Sequence, residues 1–462
     1  MDERSDEARE AGPARARELV ERGELRRIRV ELVDTDGSLR GKYVSPGKLI
    51  DGAGAALSDV FYSLTVADDV FDTPVTGTAT GFPDVVGRPD WATLRPVVWQ
   101  PGVWAVVADM QTKAGKACTV DPRRATRLAE ARLAIDGFTA LVGVEYECYL
   151  FHGGPEADRA IREGRHRDLV PVGREWQAYS LWRFTDGDGA VLDLDEQLAS
   201  YGVPIDAWST ELGYGMFEYA IGPLPPLAAA DAAARAKLAV KELAKRSGLV
   251  ATFIAKWDTS QSGSSGHLHQ SLQRDGANVF WAGAADTLSD TARHYLGGLA
   301  ACASELSAFS TPNVNSYRRP SPELWAPTNV TWGHDNRQAA IRAITAGAKA
   351  TRFEYRRPGA DLNPYLAIAG CLDSGLHGIR ERIEPRAESV GPAYDDPAAA
   401  AYPATLEQAA DALAASSLAR SWYGDDLVEH YVASRRAEAA IVHGLANAQV
   451  PTHELRRYFE PA

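Results

Sequence analysis

Several ionisable residues stand two apart in segments with the alternating pattern of a β-strand. Residues at that spacing project from the same face of a strand. The pairs are Glu145 and Glu147 in VGVEYECYLF, His267 and His269 in SGHLHQSL, and Glu354 and Arg356 in RFEYRRP. A fourth segment, ELGYGMFEYAI, adds Glu211 and Glu218 around a glycine-rich bend. Such strands curled together would line one cleft with at least five carboxylates and two imidazoles.

A cleft of this kind is chemically suited to divalent cations. Carboxylates held close together repel one another and take up protons unless cations neutralise them. Oxygen ligands with one imidazole suit Mg²⁺ or Mn²⁺ better than Zn²⁺, which favours cysteine and histidine. The alternative is that these side chains are the water-facing sides of half-exposed strands, which is an ordinary pattern. The large apolar residues between them favour a cleft with a divalent metal site.

A second group of residues is basic and lies beside the last of these strands. Its seven members fall within 39 residues: Arg318, Arg319, Arg337, Arg342, Lys349, Arg352 and Arg356. The fixed fork of an arginine suits carboxylate and phosphate oxygens. Each one alone could be an ordinary surface residue. Together with a divalent-metal cleft, the group predicts nucleotide phosphates and an anionic substrate.

The composition of the chain narrows the class of protein. Its 462 residues include 49 Lys and Arg against 62 Asp and Glu, a formal net charge of −13. The 45 % of hydrophobic and 24 % of charged residues exclude a disordered or fibrous chain. An acidic surface would repel nucleic acid and anionic membranes, so we expect neither as a partner. Four widely separated cysteines, a polar N-terminus and the lack of a long apolar run predict a cytoplasmic enzyme or binding protein with buried thiols.

Local signals divide the chain into segments. Residues 13–23 have helical spacing, and residues 28–44 alternate around an Asp36-Gly37 turn, which predicts a β-hairpin. At Asp121 and Pro122 the composition changes from strand-like to helical, with an N-cap followed by a first-turn proline. We therefore predict an N-terminal helical segment over 1–24, a small mostly β domain over 25–120, and a larger α+β domain over 121–462.

Six motifs carry a resemblance to a known family. They are GVEYECYLF, ELGYGMFEYAI, GHLHQSL, NVNSYRR, APTNVTWGHDNRQAAIR and RFEYRRPGADLNPYLAIAG. In order and spacing they resemble the glutamine synthetase superfamily over nearly the whole chain. The resemblance implies an α+β fold, with an N-terminal β-grasp module and a catalytic domain whose curved antiparallel sheet is flanked by helices. It also implies self-association into stacked rings, as a dodecamer with active sites between subunits.

The resemblance assigns roles to the residues singled out above. One divalent metal would be bound by Glu147, Glu211 and Glu218, and a second by Glu145, His267 and Glu354, with two or three Mg²⁺ or Mn²⁺ ions in all. ATP would be bound by His269, Ser271, Lys349 and Arg352 together with Arg337 and Arg342. Glutamate would be bound by Glu147, Gly263, Arg319 and Arg356. The catalytic arginines would be Arg337, Arg342 and Arg356. ATP would phosphorylate a carboxylate, and an amine would then displace the phosphate to give an amide.

The amine side departs from true glutamine synthetases. They carry a flap glutamate where this chain has Trp325, although Glu323 is two residues away. Their Asp-Gly-Ser-Ser segment is replaced by residues 58–69, where Asp59 is the nearest acid. An aromatic ring attracts an alkylammonium group by a cation–π contact of roughly 0.5–2 kcal/mol. We therefore expect Trp325, Tyr179 and Tyr62 to line an amine pocket, the alternative for Trp325 being simple loop packing.

Three functions are compatible with these residues. The first is an ATP-dependent ligase that joins glutamate to an organic amine, as in the polyamine, ethanolamine and alkylamine branches of the family. The second is an authentic glutamine synthetase that uses ammonium, against which Trp325 and the replaced segment argue. The third is a non-catalytic homologue with a binding or regulatory role. A protein freed from catalysis has no physical need to keep a repulsive carboxylate cluster, which favours an enzyme.

Overall fold

A computed structural model describes residues 3–186, 194–321, 324–394, 396–442 and 450–462. Within these residues, no helix is both long enough and apolar enough to cross a membrane. All four cysteines are buried, as predicted.

The first sheet lies in the N-terminal quarter of the chain. Its strands are β1 (Arg27–Val33), β2 (Leu39–Val44), β3 (Ala55–Ser58), β4 (Asp84–Pro89), β5 (Arg95–Pro96) and β6 (Val103–Thr112). They are ordered β2-β1-β6-β4-β3, with β5 on β6, and β1 pairs with β6 in parallel. Gly37 takes a φ of +81° at the tip of the β1–β2 hairpin, which confirms the predicted turn.

Two helices accompany this sheet, α1 (Glu3–Glu21) and α2 (Pro46–Ile50). Helix α1 begins ten residues before the predicted start at Pro13, which lies inside it. The prediction took proline as a start signal, whereas the preceding residues are rich in glutamate, alanine and arginine, which are good helix formers. Leu19 of α1 packs in the same buried cluster as Ile28 and Val30 of β1.

The second sheet holds the motifs singled out in the sequence. Its strands are β7 (Thr139–His152), β8 (Ile205–Thr210), β9 (Met216–Leu224), β10 (Leu249–Thr252), β11 (Gly266–Arg274), β12 (Ala277–Asn278), β13 (Trp332–His334), β14 (Ile341–Ile344) and β15 (Arg352–Tyr355). They are ordered β13-β14-β15-β11-β7-β9-β8, with β10 on β7 and β12 on β11. The pairs are antiparallel except β13 with β14.

Helices cover this sheet and complete the core. They are α3 (Pro122–Ile135), α4 (Pro155–Glu163), α5 (Leu181–Asp186), α6 (Asp195–Ser200), α7 (Pro226–Arg246), α8 (Asp290–Cys302), α9 (Ser307–Ser310), α10 (Pro364–Glu381), α11 (Leu406–Ala415), α12 (Ser417–Tyr423), α13 (Asp425–Val442) and α14 (Thr452–Tyr458). Helix α3 starts as predicted, since the Asp121 side chain accepts a hydrogen bond from the Arg123 N–H and Pro122 is its first residue. The long helices α3, α7 and α10 bury their apolar faces in one cluster with the central strands.

A buried arginine connects the first sheet with helices α3 and α7. Arg123, at the start of α3, is 0 % exposed. Its guanidinium donates to both oxygens of Asp231 on α7, at 2.9 and 2.7 Å, and to Asp90 Oδ2 at 2.8 Å. It also donates to Asp109 on β6. Three carboxylates from both sides of the molecule therefore share one guanidinium.

Candidate active site

Four neighbouring strands bring the ionisable pairs together. In the sheet β15, β11, β7 and β9 follow one another, and each pairs with the next. The register places His267 opposite Glu145, Glu218 opposite Glu147, and Glu354 opposite both His269 and Arg342. Because side chains two apart share a face, the predicted alternation produces one polar surface across the middle of the sheet.

One group of ligand atoms lies around His267. Its Nδ1 is 3.3 Å from Glu145 Oε2 and 3.4 Å from Glu354 Oε1. Neighbouring ligands of an octahedral Mg²⁺, each about 2.1 Å from the ion, are separated by roughly 3.0 Å. The spacing is therefore close to that of side chains that share one ion. Glu145, Glu218 and His267 also offer ligand atoms that all lie within 4.8 Å of one another, as do Glu145, His269 and Glu354.

Glu147 and Glu211 lie beside these groups. Glu147 accepts a hydrogen bond of 2.5 Å from the Ser265 N–H. Glu211 precedes the bend at Gly213 and Gly215, the second of which has a φ of +69° that favours glycine. The bend turns the chain back into β9, so that Glu211 and Glu218 approach the same surface.

The carboxyl groups of Glu218 and Glu211 resist ionisation. Burial, with the charges of Glu145 and Glu147, raises the pKa of Glu218 to about 10. Burial and Glu147 likewise raise the pKa of Glu211 to about 8. Without cations, both groups are neutral at pH 7 because additional negative charge is unfavourable there. The donor set fits hard divalent cations, since it combines several oxygens with one imidazole.

At Glu354 and Glu145, cationic neighbours lower the pKa instead. Burial opposes ionisation of Glu354, but the Arg356 guanidinium and the two histidines lower its pKa to about 2. Burial also opposes ionisation of Glu145, and His269 and His267 hold the pKa of that carboxyl well below its usual range. At pH 7 the same surface therefore carries two ionised carboxylates and two that become ionised when a cation binds.

We expect metal binding to release protons. Glu218 and Glu211 have pKa values of about 10 and 8, so at pH 7 a bound cation must displace their protons. Between about one and two protons should leave per chain, and the apparent affinity for Mg²⁺ should rise between about pH 6 and pH 9. In the metal-free protein, the raised pKa values of these two groups lower the free energy of unfolding as pH rises above 4.5, the ordinary pKa of a glutamate. The reason is that the folded chain keeps protons that the unfolded chain has lost at that pH.

Titration calorimetry in two buffers of different ionisation enthalpy measures the protons released. The control is Glu218→Gln, which cannot release a proton at that position and should lower the count by about one. Binding that releases no protons and is independent of pH would contradict the assignment.

Two predicted catalytic arginines contact Glu354 directly. Arg342 Nη1 donates to Glu354 Oε2 at 3.0 Å, and Arg356 Nη1 donates to Glu354 Oε1. Arg356 Nε also donates to the Arg337 carbonyl at 3.1 Å. Asp335 was not predicted as a site residue, yet its Oδ1 accepts two hydrogen bonds from Arg342. It lies within the quoted GHDNRQ segment, but its local pattern gave no sign that it would face Arg342.

The predicted ATP residues lie along β11 and the start of β15. Arg352 Nε donates to His269 Nδ1 at 3.0 Å, while His269 Nε2 is 2.8 Å from Glu145 Oε1. Ser271 follows His269 on the same face of β11. Lys349 is exposed in the turn before β15, and Arg337 is exposed in the loop after β13.

The predicted glutamate residues form a buried corner. Arg319 is 2 % exposed, and its Nη1 and Nη2 donate to the carbonyls of Arg357 and Arg356 at 3.1 and 2.9 Å. A Cβ atom at Gly263 would lie 2.5 Å from Arg319 Cγ, so only glycine permits this approach. Burial lowers the pKa of Arg319 to about 10, yet the guanidinium remains charged at pH 7.

Trp325 and Tyr179 are exposed aromatic residues with left-handed backbones. Their φ values are +54° and +58°, and their exposed fractions are 48 % and 69 %. Non-glycine residues in this region cost energy and cluster at functional sites. Trp325 and Arg337 line one open cavity of about 440 Å³. Burial and the charges of Glu211 and Glu218 raise the pKa of Tyr179, which places that ring near the carboxylates.

Of the three predicted pocket residues, Trp325 alone lines this cavity, and the two tyrosines do not. Tyr62 is 1 % exposed and lies in a 3-10 helix that packs in the core of the N-terminal sheet. The centre of its ring is 4.1 Å from that of Phe61, with the two planes tilted by 33°. A ring so enclosed has no surface to offer an amine, so the prediction for Tyr62 is wrong. Asp59 of the same helix is also buried, and burial raises its pKa. Glu323, the possible substitute for the flap glutamate, lies outside the described residues.

Comparison with known proteins agrees with this geometry. The profile of the family described as glutamine synthetase, catalytic domain, matches residues 119–458. Glutamate–isopropylamine ligase from a Pseudomonas species is 34 % identical over 454 residues, which cover 96 % of this chain and 97 % of that protein. Gamma-glutamylethanolamide synthetase from Streptomyces coelicolor is 34 % identical over 448 residues, 96 % of this chain and 94 % of that one.

A solved structure described as a GmaS/ADP complex superposes with a TM-score of 0.80 at 26 % identity, covering 94 % of this chain and 97 % of that chain. The family profile, the full-length relatives and the shared fold all agree with the motifs on the central strands. The chain therefore belongs to the glutamine synthetase superfamily, as an ATP-dependent carboxylate–amine ligase that resembles the γ-glutamyl-amine ligase branch rather than the true glutamine synthetases.

Proposed function

We propose that this enzyme joins glutamate to an organic amine, with ATP as phosphate donor, and forms a γ-glutamyl amide through γ-glutamyl phosphate. The observation that carries the proposal is Trp325, which stands where the family's flap glutamate is expected and borders a cavity of about 440 Å³. One relative is named for isopropylamine as a substrate and another for a γ-glutamylethanolamide product, and both names support an organic acceptor.

The size of the cavity favours an organic amine over ammonium. An ammonium ion needs about the volume of a water molecule, roughly 30 Å³. The cavity beside Trp325 is more than ten times larger. An indole face attracts an alkylammonium group while its apolar surface packs against the attached carbon atoms. The indole of Trp325 is thus suited to contact both the ammonium group and the hydrocarbon part of such a substrate.

The central strands would hold the cations that the reaction needs. We assign one ion to Glu145, His267 and Glu354, and another to Glu218 with Glu147 and Glu211. Divalent ions bound there supply positive charge that offsets the negative charge developed on the phosphoryl oxygens.

The basic residues complete the phosphate and substrate contacts. We assign Arg337, Arg342 and Arg356 to the transferred phosphoryl group. We also assign His269, Ser271, Lys349 and Arg352 to ATP. Arg342 and Arg356 are already fixed by Glu354, so little reorganisation is needed when charge develops. Arg319, with its stem against Gly263, would pair with a carboxylate of glutamate.

We also propose that the chain self-associates, as a dodecamer with active sites shared between subunits. A neighbouring subunit would then complete the amine side. The buried Tyr62 and Asp59 do not supply that side within one chain.

The direct experiment is ATP-dependent phosphate release with glutamate and Mg²⁺ across a panel of amines, with mass spectrometry of the products. The panel holds ammonium, methylamine, isopropylamine, ethanolamine, putrescine, spermidine and benzylamine. Strong release with an organic amine and little with ammonium supports the proposal. Ammonium as the best acceptor supports an authentic glutamine synthetase instead, and no release with any acceptor supports a non-catalytic homologue.

We expect Trp325→Glu to shift the preference toward ammonium. The carboxylate offers a small cation a charged partner and removes the indole face from the organic amine. The ratio of kcat/KM for the best amine to that for ammonium should fall about tenfold or more. Trp325→Phe is the matched control, since it keeps an aromatic face and should change the ratio only slightly. An unchanged ratio in Trp325→Glu would show that residue 325 does not contact the acceptor.

A further inference from the structure

The cavity beside Trp325 has a second wall, formed by residues 388–391. This wall is fastened to the loop that carries Arg337. The Ser389 N–H donates to the Trp332 carbonyl at 2.9 Å. The Asn336 side-chain amide donates to the carbonyls of Ser389 and Gly391 at 2.9 and 3.0 Å. Hydrogen bonds of this kind fix the position of a segment that would otherwise be a mobile surface loop.

A rigid loop here presents one apolar side chain. Val390 is 86 % exposed although its neighbours on both sides are held by hydrogen bonds. Together with Trp325 it supplies the apolar part of the cavity lining. The isopropyl side chain of Val390 is held in water on a fixed backbone, so contacts within the described part of the chain do little to stabilise it. It would gain a stabilising contact when an apolar ligand enters the cavity.

The acidic residues of the lining already have partners. Glu388 accepts a hydrogen bond from the His334 N–H at 2.7 Å and lies 3.0 Å from its Nδ1. Asp335 is paired with Arg342. Arg337 adds a positive charge to the same lining. A second ammonium group would therefore meet repulsion from Arg337, and the nearby carboxylates are already engaged in hydrogen bonds with His334 and Arg342.

We propose that Val390 and Trp325 form opposite walls of a pocket for the organic group of the amine, and that this group is an uncharged alkyl or arylalkyl chain of a monoamine. The inference rests on the proposed ligase activity and specifies its substrate class. Diamines and polyamines would bind less well, because their far ammonium group would be placed among apolar walls and a guanidinium. Val390 is thus a residue that determines specificity, and it has no part in phosphate transfer.

The test is the set of kcat/KM values for isopropylamine, butylamine, benzylamine and putrescine in the native enzyme and two variants. In the native enzyme the monoamines should exceed putrescine. Val390→Ala should lower kcat/KM for the monoamines about tenfold, chiefly through KM, and leave the values for ATP and glutamate unchanged. Val390→Asp should lower the monoamine values and raise that for putrescine, since it places an unpaired carboxylate in the pocket.

Ile135→Ala is the control variant. Ile135 is an equally exposed aliphatic residue at the end of α3, and its change should leave every value as in the native enzyme. A native enzyme that prefers putrescine overturns the inference, and so do Val390 variants whose order of preference is native. Both of those results leave the ligase activity intact. Failure of every amine to support phosphate release overturns the inference and the proposed function together.

Discussion

Replacement of Glu218 by alanine should lower kcat/KM by about a thousandfold or more. The change removes a ligand from the group that Glu218 forms with Glu145 and His267. Cation contributions to the transition state are several kcal/mol, and about 4 kcal/mol corresponds to a factor of a thousand. The fold should survive, because burial and nearby carboxylates raise the pKa of this carboxyl to about 10, and its removal also removes the cost of keeping it protonated at pH 7.

Two measurements together distinguish a lost ligand from a damaged fold. Mg²⁺ should raise the melting temperature of the native enzyme by mass action, and this increase should shrink in Glu218→Ala. The melting temperature without metal should be equal to or above the native value. Glu381→Ala, an exposed glutamate at the end of α10, is the control and should behave as native. Near-native turnover in Glu218→Ala would remove Glu218 from the metal site.

The second large effect is expected on stability, from Arg123→Ala. This buried guanidinium is shared by Asp90, Asp109 and Asp231. Its removal leaves Asp231 without its guanidinium and leaves Asp90 and Asp109 with Arg127 as their arginine partner, and breaking a buried ion pair in this way costs about 3–5 kcal/mol. The free energy of unfolding from urea titration should fall by that amount.

Arg124→Ala, the next residue of α3, serves as the control. It removes an arginine from the same helix turn but none of the bonds to the three aspartates, and a change within about 0.5 kcal/mol is expected. Arg123→Met tests whether the charge or the volume of the side chain matters, since methionine fills space without pairing the carboxylates. Equal stability of Arg123→Ala and the native enzyme would show that these carboxylates are neutral or solvated in the folded chain.

Features with local physical causes could be predicted from the sequence. The start of α3 follows from a side-chain cap and a proline within three residues, and the β1–β2 turn follows from Gly37. The strand positions of Glu145 and His267 follow from alternation with a period of two. Because strands β15, β11, β7 and β9 turned out to be neighbours, one local rule sufficed to place the charged groups on a common surface.

Features that depend on contacts between distant segments could not be predicted. The wall at 388–391 faces the Arg337 loop through hydrogen bonds that span more than fifty residues. The contact of Asp335 with Arg342 likewise depends on how its loop lies in the folded chain. For Tyr62 the sequence shows an aromatic residue between apolar neighbours, but not which side of the segment enters the core. The left-handed backbone at Trp325 likewise has no signature in residue type, since tryptophan seldom adopts it.

The register of the central sheet also determines when the enzyme acquires its site during folding. His267 and Glu145 are 122 residues apart in the chain, and β11, which carries His267, lies between β7 and β15. The ligands assigned to one ion, Glu147, Glu211 and Glu218, come together as soon as β7 pairs with β9. The ligands assigned to the other, Glu145, His267 and Glu354, need β11 and β15 as well, and such long loops close slowly. An ion at this second position would therefore bind only the finished sheet, where it would slow the separation of strands that have already met.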